Sequence, residues 1–184
     1  MRKSRRDFLR ITASSALGAA LLPTVHYGQE EPESGTESTA DTSKVEQALA
    51  LFKGHNCCQS VLATYAPELG MDKITALRAA QGMPGIGGLG NVCGTVSGAT
   101  LVIGLKTMNE NNINDSEARK KTSETVKEFV ARFEKRHSSI QCRELIGHDI
   151  STREKRQAAA KDKAFANCPG FVESAVEILE ELFS

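Results

Sequence analysis

Five cysteines are the residues of this chain best suited to chemistry: Cys57, Cys58, Cys93, Cys142 and Cys168. Thiolates ligate metals and exchange disulfides, and thiols also form structural bridges or pack as small apolar groups. The absence of a Cys-x-x-Cys motif disfavours thioredoxin-type exchange and zinc ribbons. The absence of Cys-x-x-Cys-His excludes covalently attached c-type haem. The spacing alone therefore leaves metal ligation, dithiol chemistry, disulfides and simple burial open.

Four of these cysteines are predicted to stand at the start of a helix: Cys57, Cys93, Cys142 and Cys168. Asn56 is a good helix-capping residue, the uncharged segment 95–105 follows the second cysteine, and Pro169 is a favourable first-turn residue. Helix N-termini carry unpaired N–H groups and the positive end of the helix dipole. Such positions suit thiolates or an anionic cluster held by thiolates.

The remaining pattern predicts an all-α fold. Apolar residues recur at helical spacing and no stretch alternates with period two. We expect a compact bundle of about six or seven helices that begins near Thr42 or Ser43. A long amphipathic helix should open at Asp115 or Ser116, and 95–105 should be the central apolar helix, preceded by a glycine-rich loop.

That loop holds five glycines between Gly85 and Gly94. Residues 85–90 match Gly-x-Gly-x-x-Gly, but no strand precedes them and no acidic residue follows at the required distance, so the sequence argues against NAD binding. We expect the backbone N–H groups of Gly88, Gly90 and Gly94 to contact a cofactor's sulfurs instead.

The N-terminus is predicted to direct export. Arg5 and Arg6 precede Phe-Leu and an uncharged, small-residue stretch, a pattern that resembles a twin-arginine signal over residues 1–28. Residues 29–43 are acidic and lack large apolar side chains, which predicts a disordered tether. The folded domain should cover 44–184. The expected partners are the twin-arginine translocation machinery and a membrane or periplasmic redox protein, with the protein in the periplasm or on the outer face of the cytoplasmic membrane.

Charge argues against a nucleic-acid partner. The 184-residue chain has zero formal net charge, and its first ten residues hold five basic groups against one aspartate. The rest of the chain therefore carries −4, the wrong sign for a phosphate-binding surface. No Ser-His-Asp order, glycosidase-like carboxylate pair or phosphate loop occurs, so we predict no catalytic residue.

Several motifs taken together resemble the C-GCAxxG-C-C family of redox-active proteins. They are Gly54-x-Asn56-Cys57, the run from Gly87 to Ala99 containing Cys93-Gly94, the segment Cys142 to Gly147, and Cys168-Pro169. The resemblance covers about residues 44–183. Thr95 stands where the family signature has alanine, and Cys58 has no family counterpart.

The resemblance implies a single site built from Cys57, Cys93, Cys142 and Cys168. A similar module in split-Soret cytochromes is associated with a non-haem iron or iron–sulfur centre, which implies such a cofactor and an electron-transfer role here. The alternatives are a dithiol/disulfide oxidoreductase and a disulfide-stapled helical binding module tied to a transporter. Cys58 is expected to pack in the core, with pairing to Cys57 or alternative ligation as other options.

Two histidines lie near the cysteines in sequence. His55 could ligate metal or relay a proton, and His148 follows the Cys142 segment. We expect both to be loop residues. Arg143 is expected either to offset thiolate charge or to form a surface ion pair.

Overall fold

The computed structural model describes residues 42–184, so the predicted signal and residues 29–41 of the predicted tether lie outside the described residues. Within this range the chain forms eight helices: α1 Lys44–Phe52, α2 Cys57–Tyr65, α3 Lys73–Ala80, α4 Gly94–Thr107, α5 Ser116–His137, α6 Cys142–Leu145, α7 Arg153–Lys161 and α8 Cys168–Phe183. Residues 85–88 form helix-like hydrogen bonds, but Ile86 and Gly87 have φ angles of 41° and 66°, so we describe 85–90 as the glycine loop. The all-α prediction is confirmed, and the number of helices exceeds the expected six or seven because one-turn segments such as α6 are helices of their own.

Local capping sets where the helices begin. Ser43 caps α1 in a reciprocal arrangement with Glu46, and Asn56 caps α2. Asp72 and Asp115 accept hydrogen bonds from the first turns of α3 and α5. Each side chain satisfies an N–H that the helix itself leaves unpaired.

The centre of the domain is the close contact between α2 and α4. A Cβ added at Gly98 would lie 2.9 Å from the carbonyl oxygen of Cys58 and 3.0 Å from Cβ of Val61. Only glycine lets the two helix backbones approach this closely. Cys58 is fully buried at this contact, in agreement with its expected packing role.

Helices α5 and α8 close the other side of the core. Phe129 and Phe133 of α5 are fully buried, and the ring of Phe133 packs against Phe171 of α8 with centroids 6.4 Å apart. At the surface, Arg136 donates to Glu181 across the same two helices at 2.9 Å. None of the helices within residues 42–184 has the length and apolar character needed to cross a membrane.

Candidate functional site: a four-cysteine cavity

Four thiols from distant parts of the chain line one cavity of about 220 Å³: those of Cys57, Cys93, Cys142 and Cys168. Each stands at the beginning of a helix, three as the first helical residue and Cys93 as the N-cap of α4. The surrounding wall is mostly apolar and includes Phe52, Leu145, Ile146 and Phe171. We call this the four-cysteine cavity. The structure thus brings together all four cysteines singled out from the sequence.

Backbone hydrogen bonds join the segments that carry two of these cysteines. The Cys93 N–H donates to the carbonyl of Ile140 at 2.8 Å, and the Cys142 N–H donates to the carbonyl of Asn91 at 2.6 Å. These bonds flank the isolated antiparallel bridge between Val92 and Gln141. The starts of α4 and α6 are therefore held side by side, which sets the position of both thiols.

Arg143 reinforces this junction from its outer side. Its Nε donates to the Gly90 carbonyl at 3.1 Å, and its Nη2 donates to Asn91 Oδ1 at 2.7 Å. Gly90 has φ +78°, and a Cβ there would lie 3.3 Å from Cβ of Arg143. Both the backbone conformation and the available space therefore favour glycine at this position. Within the described residues Arg143 forms no surface ion pair and does not contact a cysteine thiol as expected. Its guanidinium binds the loop backbone and Asn91 instead.

Gly94 lets the start of α4 approach Cys57. A Cβ at Gly94 would lie 2.5 Å from Cys57 Sγ and 2.9 Å from the Cα of Pro84. Gly88 and Gly90 precede Gly94 in the chain, and they lie beside Arg156 and Arg143 respectively. The Gly88 N–H is already bonded to the Pro84 carbonyl at 3.0 Å, so it is not free to donate to a cofactor sulfur.

The cavity holds one acidic thiol among several that resist ionisation. Interaction with the neighbouring Cys57 thiol lowers the pKa of Cys93 to about 7 against the opposing effect of burial. The same interaction, together with burial, raises the pKa of Cys57. Burial, followed by the nearby charge of Cys93, raises the pKa of Cys142 to about 11 and that of Cys168 to about 12.

The first turn of α4 also stabilises negative charge on Cys93. Backbone N–H groups of Thr95 and Val96 lower the pKa of Cys93 after the contribution from Cys57. The Thr95 hydroxyl is close enough to add to this effect, yet it is buried and forms no hydrogen bond of ordinary length within the described residues. Thr95 thus places on the cavity wall a hydroxyl that has no hydrogen-bond partner among the described residues. The family signature has alanine at this position.

Some of the other residues near the cysteines in sequence line the cavity and others do not. His55 lines the cavity, whereas His148 is bonded to the Ile146 carbonyl and to Asp162. Arg156 also lines the cavity, and its guanidinium lies over the ring of Phe165 at 5.6 Å. The sequence analysis missed Arg156 because it is one of several basic residues on α7. Arg156 differs from its basic neighbours in its position beside the glycine loop, where its Nη1 lies 3.7 Å from a Cβ built at Gly88.

The four cavity thiols are the candidate ligands for a cofactor. Among residues 42–184, no three His, Cys, Asp or Glu side chains are grouped closely enough to hold a metal ion. The chemistry of the four thiols is that of iron–sulfur ligands, since cysteine thiolates are the usual ligands of such clusters. Cys57, Cys93, Cys142 and Cys168 are the residues that would hold such a group.

The fold and the site define an all-α protein with four cysteines converging from helix N-termini. A family model described as "Putative redox-active protein (C_GCAxxG_C_C)" matches residues 55–182. The chain therefore belongs to this family, as its motifs predicted. No curated protein and no solved structure matches the chain.

Proposed function

We propose that this protein is an exported electron carrier whose four cysteines hold an iron–sulfur cluster. The observation that supports this most strongly is the convergence of Cys57, Cys93, Cys142 and Cys168 on one apolar cavity. Helix N-termini at all four positions favour an anionic group, and the apolar wall limits its contact with water. When bound, a cluster of this kind accepts and releases electrons at a potential set by its surroundings.

The protein's own residues have distinct parts in this proposal. The lowered pKa of Cys93 makes it the thiol most readily deprotonated for ligation, since a thiolate is the ligating form. Gly94 leaves room for the Cys57 sulfur, and the Thr95 hydroxyl is available to donate to a ligating sulfur. Hydrogen bonds to sulfur are one of the means by which a protein tunes cluster potential.

A dithiol/disulfide oxidoreductase is the second candidate, and it is favoured because Cys57 and Cys93 line the same cavity and their pKa values are shifted in opposite directions. In that reaction the Cys93 thiolate attacks a substrate disulfide, forming a mixed disulfide and releasing one substrate thiolate. Cys57 then gives its proton to that thiolate and attacks Cys93. The second substrate sulfur leaves as a thiolate, so the substrate is reduced by two electrons and a Cys57–Cys93 disulfide remains. All five cysteines are free thiols in the structure, so no observation favours the disulfide-stapled binding module.

The test is anaerobic purification followed by assays of iron, acid-labile sulfide and visible absorbance. We expect iron and sulfide in the wild-type protein and their loss when any one of the four cavity cysteines is replaced by alanine. Cys58→Ala is the matched control, because Cys58 does not line the cavity, and it should retain both. A metal-free wild-type protein with a titratable dithiol potential would overturn the cluster proposal and support the oxidoreductase.

Export is tested separately through the predicted signal. Replacing Arg5 and Arg6 by lysine should leave the protein in the cytoplasm if residues 1–28 direct twin-arginine export. Cell fractionation measures this directly. Unchanged export of the doubly substituted chain would contradict the twin-arginine route.

A further inference from the structure

A second cleft, of about 270 Å³, adjoins the four-cysteine cavity. The two share Asn56, Pro84 and Arg156, and the glycine loop forms one wall of the second. Among the described residues, no acidic side chain lines this second cleft. Its polar character therefore depends on Asn56, Gln81, Arg156 and the loop backbone.

The orientation of the two amides in this cleft follows from their hydrogen bonds. Gln59 donates through Nε2 to the carbonyl of Leu77 at 2.8 Å, which fixes Nε2 as its donor end. The same Nε2 donates to Gln81 at 2.7 Å, so Gln81 must present its Oε1 there. Asn56 uses Oδ1 to accept from the Gln59 N–H at 2.9 Å.

Both amides thus have an engaged oxygen and an unengaged NH₂ group. No hydrogen bond from Asn56 Nδ2 or Gln81 Nε2 occurs within residues 42–184. An amide NH₂ is a donor only, and each has two protons to give. Asn56 is half-buried and Gln81 is exposed, so a ligand from solvent can reach both amide donors beside the cleft.

Arg156 adds a positive charge with no carboxylate partner in the described range. Its guanidinium lies over Phe165 at 5.6 Å and next to Gly88, where Nη1 is 3.7 Å from the position of a Cβ. Gly88 has φ +85°, so a side chain is disfavoured there on conformational grounds. Arg156 is solvent-exposed, and the planar donors of its guanidinium suit an oxyanion that approaches from solvent.

We propose that this cleft binds a small oxyanion, such as a carboxylate or a sulfate-like group, through Arg156 and the amides of Asn56 and Gln81. The binding site itself does not depend on a cluster. Its relevance to electron transfer rests on the proposed function, because the bound anion would lie beside the four-cysteine cavity. The ligand class is then an anionic substrate, or an anionic side chain of a redox partner.

The test is isothermal titration of the anaerobically purified full-length protein with sodium sulfate and with sodium acetate, at constant ionic strength set with sodium chloride. We expect saturable binding of at least one of the two anions at one site. Arg156→Gln should weaken it at least tenfold. Gln81→Glu, which keeps the acceptor for Gln59 and places a negative charge in the cleft, should weaken it by a similar factor.

Arg153→Gln is the matched control, since it removes the same charge from the same helix but does not line the cleft. Its affinity should stay within twofold of wild type. Absence of saturable binding in the wild type, or equal weakening by Arg153→Gln and Arg156→Gln, would overturn the proposal. Iron and sulfide are assayed on the same samples, so an iron-free protein that still binds anion would overturn the cluster and not the oxyanion site.

Discussion

Replacing Gly94 by alanine should disturb the four-cysteine cavity and the fold together. The new Cβ would lie 2.5 Å from Cys57 Sγ, 2.9 Å from the Cα of Pro84 and 3.2 Å from the Cβ of Pro84. The sulfur can rotate away, but the Pro84 backbone has to shift. Overpacking of this kind costs about 1–3 kcal/mol, while alanine in place of glycine in a helix returns about 1 kcal/mol. The difference is a net loss of up to about 2 kcal/mol in the free energy of unfolding, so Gly94→Ala should not stabilise the protein.

Gly104 provides the control on the same helix. A Cβ there meets no atom within 4 Å, so Gly104→Ala should stabilise the protein by about 0.5–1 kcal/mol through helix propensity alone. Urea unfolding followed by circular dichroism measures both variants, with unchanged slope as the check that only stability has moved. An equal rise in the urea midpoint for Gly94→Ala and Gly104→Ala would refute the close contact between the start of α4 and Cys57.

Three further predictions concern the thiols, the core and one histidine. In the reduced, metal-free protein, thiolate ultraviolet absorbance should appear with a midpoint near pH 7, the pKa of Cys93, and Cys57→Ala should move that midpoint upward because the interaction with the Cys57 thiol is lost. Phe133→Ala should lower the free energy of unfolding by about 3–5 kcal/mol, since the ring is fully buried, and a loss under 1 kcal/mol in urea would contradict its core position. The pKa of His148 is raised by its bond to a backbone carbonyl and then by Asp162, so its stabilising effect is complete below the unfolded pKa of about 6.5 and is lost as pH rises through the folded value. Proton NMR titration should show this raised pKa and its fall in Asp162→Asn, and an unchanged value in that variant would exclude the pairing.

Local features of the fold could be predicted from the sequence because local interactions determine them. Asn56, Asp72 and Asp115 cap the helices they precede, and their side chains need only reach the next turn. Phe129 and Phe133 are both buried and are four residues apart, a helical spacing that indicates an inward face. Capping and helical periodicity depend on residues within one or two turns of each other, so they can be recognised in a single sequence.

The candidate site was less accessible to sequence reasoning. The family resemblance implied a common site for the four cysteines, but only the fold brings residues as far apart as Cys57 and Cys168 to one cavity. Arg156 could not be separated from its basic neighbours, because its distinction is a contact with the glycine loop. Gly88 was expected to face a cofactor, yet its N–H is used inside the loop.

The other expectation corrected in detail is that for Arg143. Its sequence position beside Cys142 suggested charge compensation or a surface ion pair. The side chain instead bonds to the Gly90 carbonyl and to Asn91 Oδ1. A residue adjacent in sequence to a functional cysteine can therefore act on the site through the backbone of another segment, a role that spacing alone does not reveal.

Iron X-ray absorption on the anaerobically purified protein tests most directly whether the four cysteines hold a cluster together. The account predicts iron with sulfur as its nearest neighbours and a second iron close by, both features lost in Cys93→Ala and retained in Cys58→Ala. Iron bound by oxygen or nitrogen, or a wild-type protein that contains no iron, would contradict it.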